Sequence, residues 1–415
     1  MTDDTTSTDA PTRRDYLKYS AVLSGGLLAG CRGGESTATA PAADNETPGE
    51  PTATPSDTAT QSATTTETAT AGDTSYTVEM APAGEVAFDA VPETWMTYFS
   101  TYGDMGIALG QHDGQEAAIF AQNWPTQFFE YLPGVDVSFA DVEQIWADGA
   151  IGKETFYELD CDVHLMDPNF IQLLDDSWET DDFEEVATEI GPIIGNVIRL
   201  RQGDWHDYEY YSLYEAFEKV AAVFRERERY EALKSVHDEF VADVQARLPP
   251  ESERPEVGLL SVNDEFETGT LSLYKVAAGN GKKQYQDLGM NDAFEDLDPQ
   301  TAKDVDWEVL LDIDPDILVL QYAVSHVTAE TFEEKKQVLR DSDLGSQLTA
   351  VRNDRLYPGG TAYQGPIINL FQTEMAAKQF YPEVFGEWNG YETFADESAW
   401  LFDHQRVADI VNGDI

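Results

Sequence analysis

Three features of this sequence predict two α/β lobes with mostly parallel sheets, joined by one long backbone helix. Short apolar strands alternate with helical stretches on both sides of the chain's middle. One segment grammar occurs twice, starting at Glu154 and at Glu308. Between the copies lies the longest helical pattern in the chain, closed by Pro249-Pro250.

The chain opens on Thr12-Arg13-Arg14-Asp15-Tyr16-Leu17-Lys18, followed by an apolar run from Tyr19 to Ala29. That run is too short to span a bilayer and reads as an export signal. It resembles a twin-arginine signal at every motif position. The run ends in Leu28-Ala29-Gly30-Cys31, which is similar to a lipobox and makes the Cys31 thiol the expected site of lipidation. Residues 1–31 are therefore read as signal and anchor. Residues 32–75 are Thr, Ala, Pro, Ser and acidic residues with almost no large apolar side chain. Such a stretch cannot bury enough surface to order itself, so it is expected to be a stalk with a reach of roughly 35–40 Å.

The first lobe is expected over 76–211, with strands near Val86–Ala90, Ala117–Ala121, Val163–Met166 and Pro192–Gly195. Connecting helices are expected over 212–250. Ser212-Leu-Tyr-Glu215 is a capping box, and Leu233, Val236, Phe240, Val244 and Leu248 recur at helical spacing. The second lobe is expected over 251–415, with strands Val257–Val262, Ile317–Leu320 and Arg355–Tyr357. In both repeated segments a Glu leads through a short helix to Asp-x-Asp and then to a buried strand. Cys161 reads as a small buried hydrophobe, and His164 as structural.

Composition removes several function classes. There are 79 acidic against 25 basic residues, a net charge of -54, so no nucleic-acid backbone is a partner. The acidic residues are dispersed, which suits a surface that stays hydrated in very high salt and points to a halophilic source. There is no Gly-x-Ser-x-Gly, Cys-x-x-Cys, His-Glu-x-x-His or Walker-type motif, so an enzyme is not expected.

The segments Glu308-Val-Leu-Leu-Asp-Ile-Asp-Pro-Asp-Ile-Leu-Val-Leu, Leu348-Thr-Ala-Val-Arg-Asn-Asp-Arg-Leu-Tyr357 and Glu374-Met-Ala-Ala-Lys-Gln-Phe-Tyr-Pro-Glu-Val-Phe385 carry a family likeness. In order and spacing the chain resembles the substrate-binding proteins of ABC importers for iron-siderophores, haem and cobalamin, the class with one backbone helix. Cys161 stands where the family's first-lobe copy has Pro, and the usual Arg-Ile-Val start of the opening strand is lacking. The resemblance implies a monomeric receptor anchored at the outer face of the cell membrane. Its partners would be a small-molecule ligand, a permease and the permease's ATPase. It also implies docking on the permease through one glutamate per lobe, here Glu154 and Glu308. The expected ligand is an iron(III) chelate, with no intrinsic cofactor. Haem, cobalamin or a free metal ion are alternatives, as is a metal- or haem-binding surface protein without a transporter.

Ligands of open α/β sheets bind beyond the carboxyl ends of the strands. The residues following the predicted strands give Trp95, Tyr98 and Trp124, then the polar-aromatic loop Trp205, His206, Tyr208 and Tyr211. The second lobe contributes Tyr322 and Tyr363. Flat aromatic faces with a polar handle suit a bulky chelate. These loops contain no arginine cluster, which favours a hydroxamate-type chelate over a strongly anionic one.

Overall fold

The computed structural model describes residues 75–147, 149–297 and 305–415. The signal, Cys31 and the stalk up to residue 74 lie outside the described residues. An antiparallel hairpin opens the body, β1 (Tyr76–Met80) with β2 (Gly84–Phe88). The strand expected near Val86–Ala90 thus belongs to this hairpin and not to the lobe's sheet. The first lobe's central strand is β3 (Trp95–Thr97), three residues too short for the sequence pattern to register as a strand. It lies between β4 (Gln115–Ala118) and β8 (Val163–Leu165), parallel to both. β5 (Glu143–Gln144) extends the β4 edge in parallel, while β6 (Trp146–Ala147) and β7 (Ala150–Ile151) form a separate hairpin. The expected strand at Pro192–Gly195 reduces to one parallel bridge, His164 to Ile193.

The second sheet has β9 (Glu256–Ser261) beside β12 (Ile317–Gln321) and then β13 (Leu356–Pro358), all parallel. β10 (Leu273–Tyr274) runs antiparallel on the free edge of β9, where β11 (Asn291–Asp292) also pairs. Parallel sheets bury both faces, and the period of two sorts these strands accordingly. Leu260, Leu318 and Leu320 face the second lobe's own core, whereas Val257, Leu259, Ile317 and Val319 join the main core.

The repeated grammar becomes two matching helix–strand units. Lys153–Leu159 and Trp307–Ile313 are both seven-residue helices, with Glu154 and Glu308 at their second position. Asp160 and Asp314 end them in the left-handed conformation that Asp tolerates. The next acidic residue of each copy then ties its strand to its neighbour. Asp162 accepts from the amides of Glu93 and Thr94 at 2.8 and 3.0 Å, and Asp316 accepts from Glu256 at 3.0 Å. One Asp-x-Asp therefore both stops a helix and sets a strand pair.

Two helices join the lobes, Leu213–Phe224 and Arg227–Arg247, separated by a left-handed Arg225. The capping box is formed in both directions, Glu215 amide to Ser212 and Ser212 amide to Glu215. Twenty-one residues give the backbone helix a length of about 31 Å. The helix Pro366–Phe380 is buried along its whole length, packed against Ser100–Ala108 and both connecting helices. A continuation expected within the second lobe turns back instead. Phe394 packs on Phe128 and Tyr131, and helix His404–Asn412 lies on Arg227–Arg247. Arg229 ties this end down by donating to the carbonyls of Leu109 and Val411. Cys161 is fully buried, as expected, and burial pushes its thiol up to about 12.

Candidate functional site

The carboxyl ends of β3, β4 and β8 face those of β9, β12 and β13 across a seam between the lobes. Two residues leaving these strands are bulky and left-handed: Phe120 (φ 56) past β4 and Tyr322 (φ 71) past β12. Such backbone costs on the order of 1–3 kcal/mol and concentrates at functional sites. Tyr322 is held there by its amide, which donates to Gly360 at 3.0 Å.

The seam encloses a cavity of about 10 Å³, lined by Tyr98, Phe99, Thr101, Phe170, Val197, Ile198, Arg199 and Tyr363. Tyr363 crosses from the second lobe, stacks on Phe99 with ring centroids 4.2 Å apart, and its carbonyl accepts from Ser100 at 2.6 Å. Arg199 lies over the Tyr363 ring at 5.1 Å and bonds the Tyr322 side chain. Beside it is a second buried basic group. Lys282 Nζ sits 5.0 Å from the centre of the Tyr274 ring and 5.4 Å from that of Tyr322, with no hydrogen-bond partner among the described residues. Burial and the nearby Arg199 hold this amine well below the usual lysine range.

Backbone pairing across the lobes brings the two basic groups together. The amide of Asn280 donates to Ile198 at 3.0 Å and that of Gly281 to Arg199 at 2.8 Å. Asn280 Nδ2 adds bonds to Ile198 and Tyr211. Gly279 (φ 111) is required at this turn, because a Cβ there would lie 2.3 Å from the Tyr210 hydroxyl and 2.5 Å from the Arg199 carbonyl. Beneath the Tyr363 loop, the Gln364 side chain joins Gln284, Asn369, Gln372 and the Asn280 carbonyl in one buried amide network.

Of the residues the sequence singled out, Tyr98, Tyr322 and Tyr363 meet at this seam. Trp95 does not: it is fully buried in β3, its indole donates to the Gln111 carbonyl, and it presses on Gly106. Trp124 is likewise packing, since a Cβ on Gly103 would meet its ring at 2.0 Å. Tyr211 accepts from the amide of Ala81 and pins the opening hairpin. The Trp205 loop supports the seam from behind. His206 is buried and stacked on Trp205, Tyr208 donates to Asp167, and Tyr210 donates to the Ile198 carbonyl. Asp167 also accepts from the amide of Val197, so the loop braces the segment that carries Arg199.

Arg199 and Lys282 were not among the sequence candidates. The available signal was scarcity: in a chain with 25 basic residues, a cation next to a Gly-Asn-Gly turn is unusual. Glu154 and Glu308 are exposed, and neither carboxylate forms an ion pair among the described residues. No helix of the described residues is long and apolar enough to cross a membrane.

Residues 162–362 match the family model described as periplasmic binding protein. Among solved structures, an iron uptake ABC transporter substrate-binding protein from Streptococcus pneumoniae is 17% identical, with TM-score 0.51, covering 72% of this chain and 96% of its own. The petrobactin-binding protein from Bacillus subtilis is 14% identical, with TM-score 0.50, covering 81% and 98%. A periplasmic binding protein from Veillonella parvula is 14% identical, with TM-score 0.52, covering 74% and 97%. At these identities the likeness is one of fold. The curated proteins yield no match. The matched family and these neighbours are solute-binding proteins, not enzymes.

Proposed function

From a chain whose residues 162–362 match the periplasmic binding protein family model, we propose an exported receptor that captures an anionic ferric chelate between its lobes and hands it to an ABC importer. One observation carries this reading: Arg199 and Lys282 lie side by side in a buried, tyrosine-lined seam, and no carboxylate bonds Lys282 among the described residues. A buried guanidinium beside an amine with no hydrogen-bond partner attracts an anion, and tyrosine rings supply flat contact for aromatic chelating arms. A ligand of chelate size needs several hundred Å³, whereas the enclosed cavity holds about 10 Å³, room for one water. Binding therefore parts the seam, breaking the Phe99–Tyr363 stack and the Ser100 to Tyr363 bond.

In this reading Cys31 carries the lipid anchor, and the stalk keeps the receptor within tens of ångströms of its permease, which raises the effective concentration of a weak docking partner. Glu154 and Glu308, at matching positions on the two lobes, are the docking carboxylates. The acidic surface serves solubility in a salty medium.

Titrating the purified protein with ferric hydroxamate, ferric catecholate and haem, read by tryptophan fluorescence, tests the cargo. Saturable quenching by the anionic ferric chelate, lost in Arg199→Ala, is the expected result. Quenching by haem alone, or by none of the three, rejects it.

A further inference from the structure

Lys282 and its neighbour Lys283 point to different chemistry. Lys283 Nζ is paired with Asp287 at 2.7 Å, an i,i+4 bond within its own short helix. Lys282 is the more enclosed of the two, but its Nζ donates to nothing among the described residues and lies between two tyrosine rings. A buried donor left unsatisfied demands an explanation, because its desolvation is not offset. Cation–π contact offsets part of that cost if the group is charged, but a second cation, Arg199, opposes the charge. The groups facing Lys282 come from several elements. They are Arg199 on the segment after the Ile193 bridge, Tyr274 on β10, and Tyr322 past β12 with His326 behind it. Asp292 on β11 is the nearby carboxylate favouring the charged form, and its influence is smaller than that of burial or of Arg199.

We propose that Lys282 is neutral while the seam is closed on itself and takes up one proton when an anionic ligand arrives, so that capture of the ligand is tied to capture of a proton. The proposal rests on the receptor reading above. Chemically, the amine lone pair accepts a proton from the buffer, and the resulting ammonium donates to an oxygen of the ligand. The ligand's negative charge supplies what the empty seam lacks, a counter-charge and an acceptor. Arg199 stays charged throughout and provides the constant attraction. Because the complex binds one more proton than the free protein, affinity falls as pH rises through the range where free Lys282 is neutral and bound Lys282 is charged. The limiting slope is about tenfold per pH unit. Tyr322 stays protonated over that range, since burial raises its hydroxyl.

Two measurements on the intact protein test this. The first is carbon NMR of the lysine side chains, with Lys282 assigned by Lys282→Arg and titrated without ligand. A Lys282 signal that is neutral near pH 8 supports the proposal, and one that titrates with the surface lysines overturns it. The second is calorimetry with chromium(III) tris-catecholate, an exchange-inert trianion, in buffers of different ionisation enthalpy. Uptake of about one proton per complex in the parent protein, absent from the weaker complex that Lys282→Arg forms, supports the proposal. Tight binding with no proton uptake overturns it and leaves the receptor reading intact. Absence of binding at every pH overturns both the proposal and the anionic-chelate reading.

Discussion

Asp104 lies on the first lobe's helix Ser100–Ala108, yet it caps a helix of different origin. Its Oδ2 accepts from the amide of Ile368 at 2.8 Å, in the first turn of Pro366–Phe380, and its Oδ1 has no partner among the described residues. Burial, only partly offset by the amides of Ile368 and Ile367, pushes this carboxyl up to about 8. In the unfolded chain an Asp ionises near 4. Between those values the folded protein keeps a proton that the unfolded chain releases. Stability from this group is therefore full at low pH and is lost as pH rises toward about 8, by at most about 1.4 kcal/mol per unit. Asparagine keeps the size and the acceptor but cannot ionise. The stability of Asp104→Asn relative to the parent should then rise by about 2 kcal/mol between roughly pH 5 and pH 7. Urea unfolding at constant salt, followed by tryptophan fluorescence, measures the difference at each pH. Parallel pH curves for the two proteins would refute the argument, because background titrations cancel in the comparison.

Gly279→Ala places a methyl against the Tyr210 hydroxyl and the Arg199 carbonyl at a left-handed φ. It should destabilise by about 1–3 kcal/mol and weaken chelate binding together, read by unfolding and by fluorescence titration. Glu374 and Lys378 form a fully buried pair at 2.7 Å, with His404 at 3.3 Å from the same carboxylate. Lys378→Met alone should cost about 3–5 kcal/mol by leaving a buried charge, and adding Glu374→Gln should recover most of it. A double-mutant cycle of thermal unfolding checks this, and additive losses would contradict it. Reversing Glu154 and Glu308 to Lys should abolish uptake in cells while leaving ligand affinity unchanged. Unimpaired uptake would remove their docking role.

The lobes were readable because their signals are local. The capping box at Ser212, the Asp-x-Asp stops at 160–162 and 314–316, and the apolar runs of β9 and β12 each act within a few residues. β3 escaped because three residues carry no periodicity, and its identity as the central strand depends on β4 and β8 flanking it. Displacing that strand displaced the site: Trp95, read as following a strand, is a core residue within one. Trp124 and Tyr211 failed for a related reason. An aromatic side chain after a strand can turn toward the cleft or into the body, and glycines at 103 and 106 opened the body to Trp124 and Trp95.

By itself the sequence determined the two α/β lobes, the long helix between them and the paired glutamates, since hydrophobic period, capping and helix stops are written over short spans. Only the tertiary structure decided which residues meet at the seam. Arg199 and Lys282 lie far apart in the chain, and their juxtaposition follows from two amide bonds between the 198–199 and 280–281 segments. Packing acts through space, so two basic side chains in an acidic protein are paired only once the lobes have closed the distance between them.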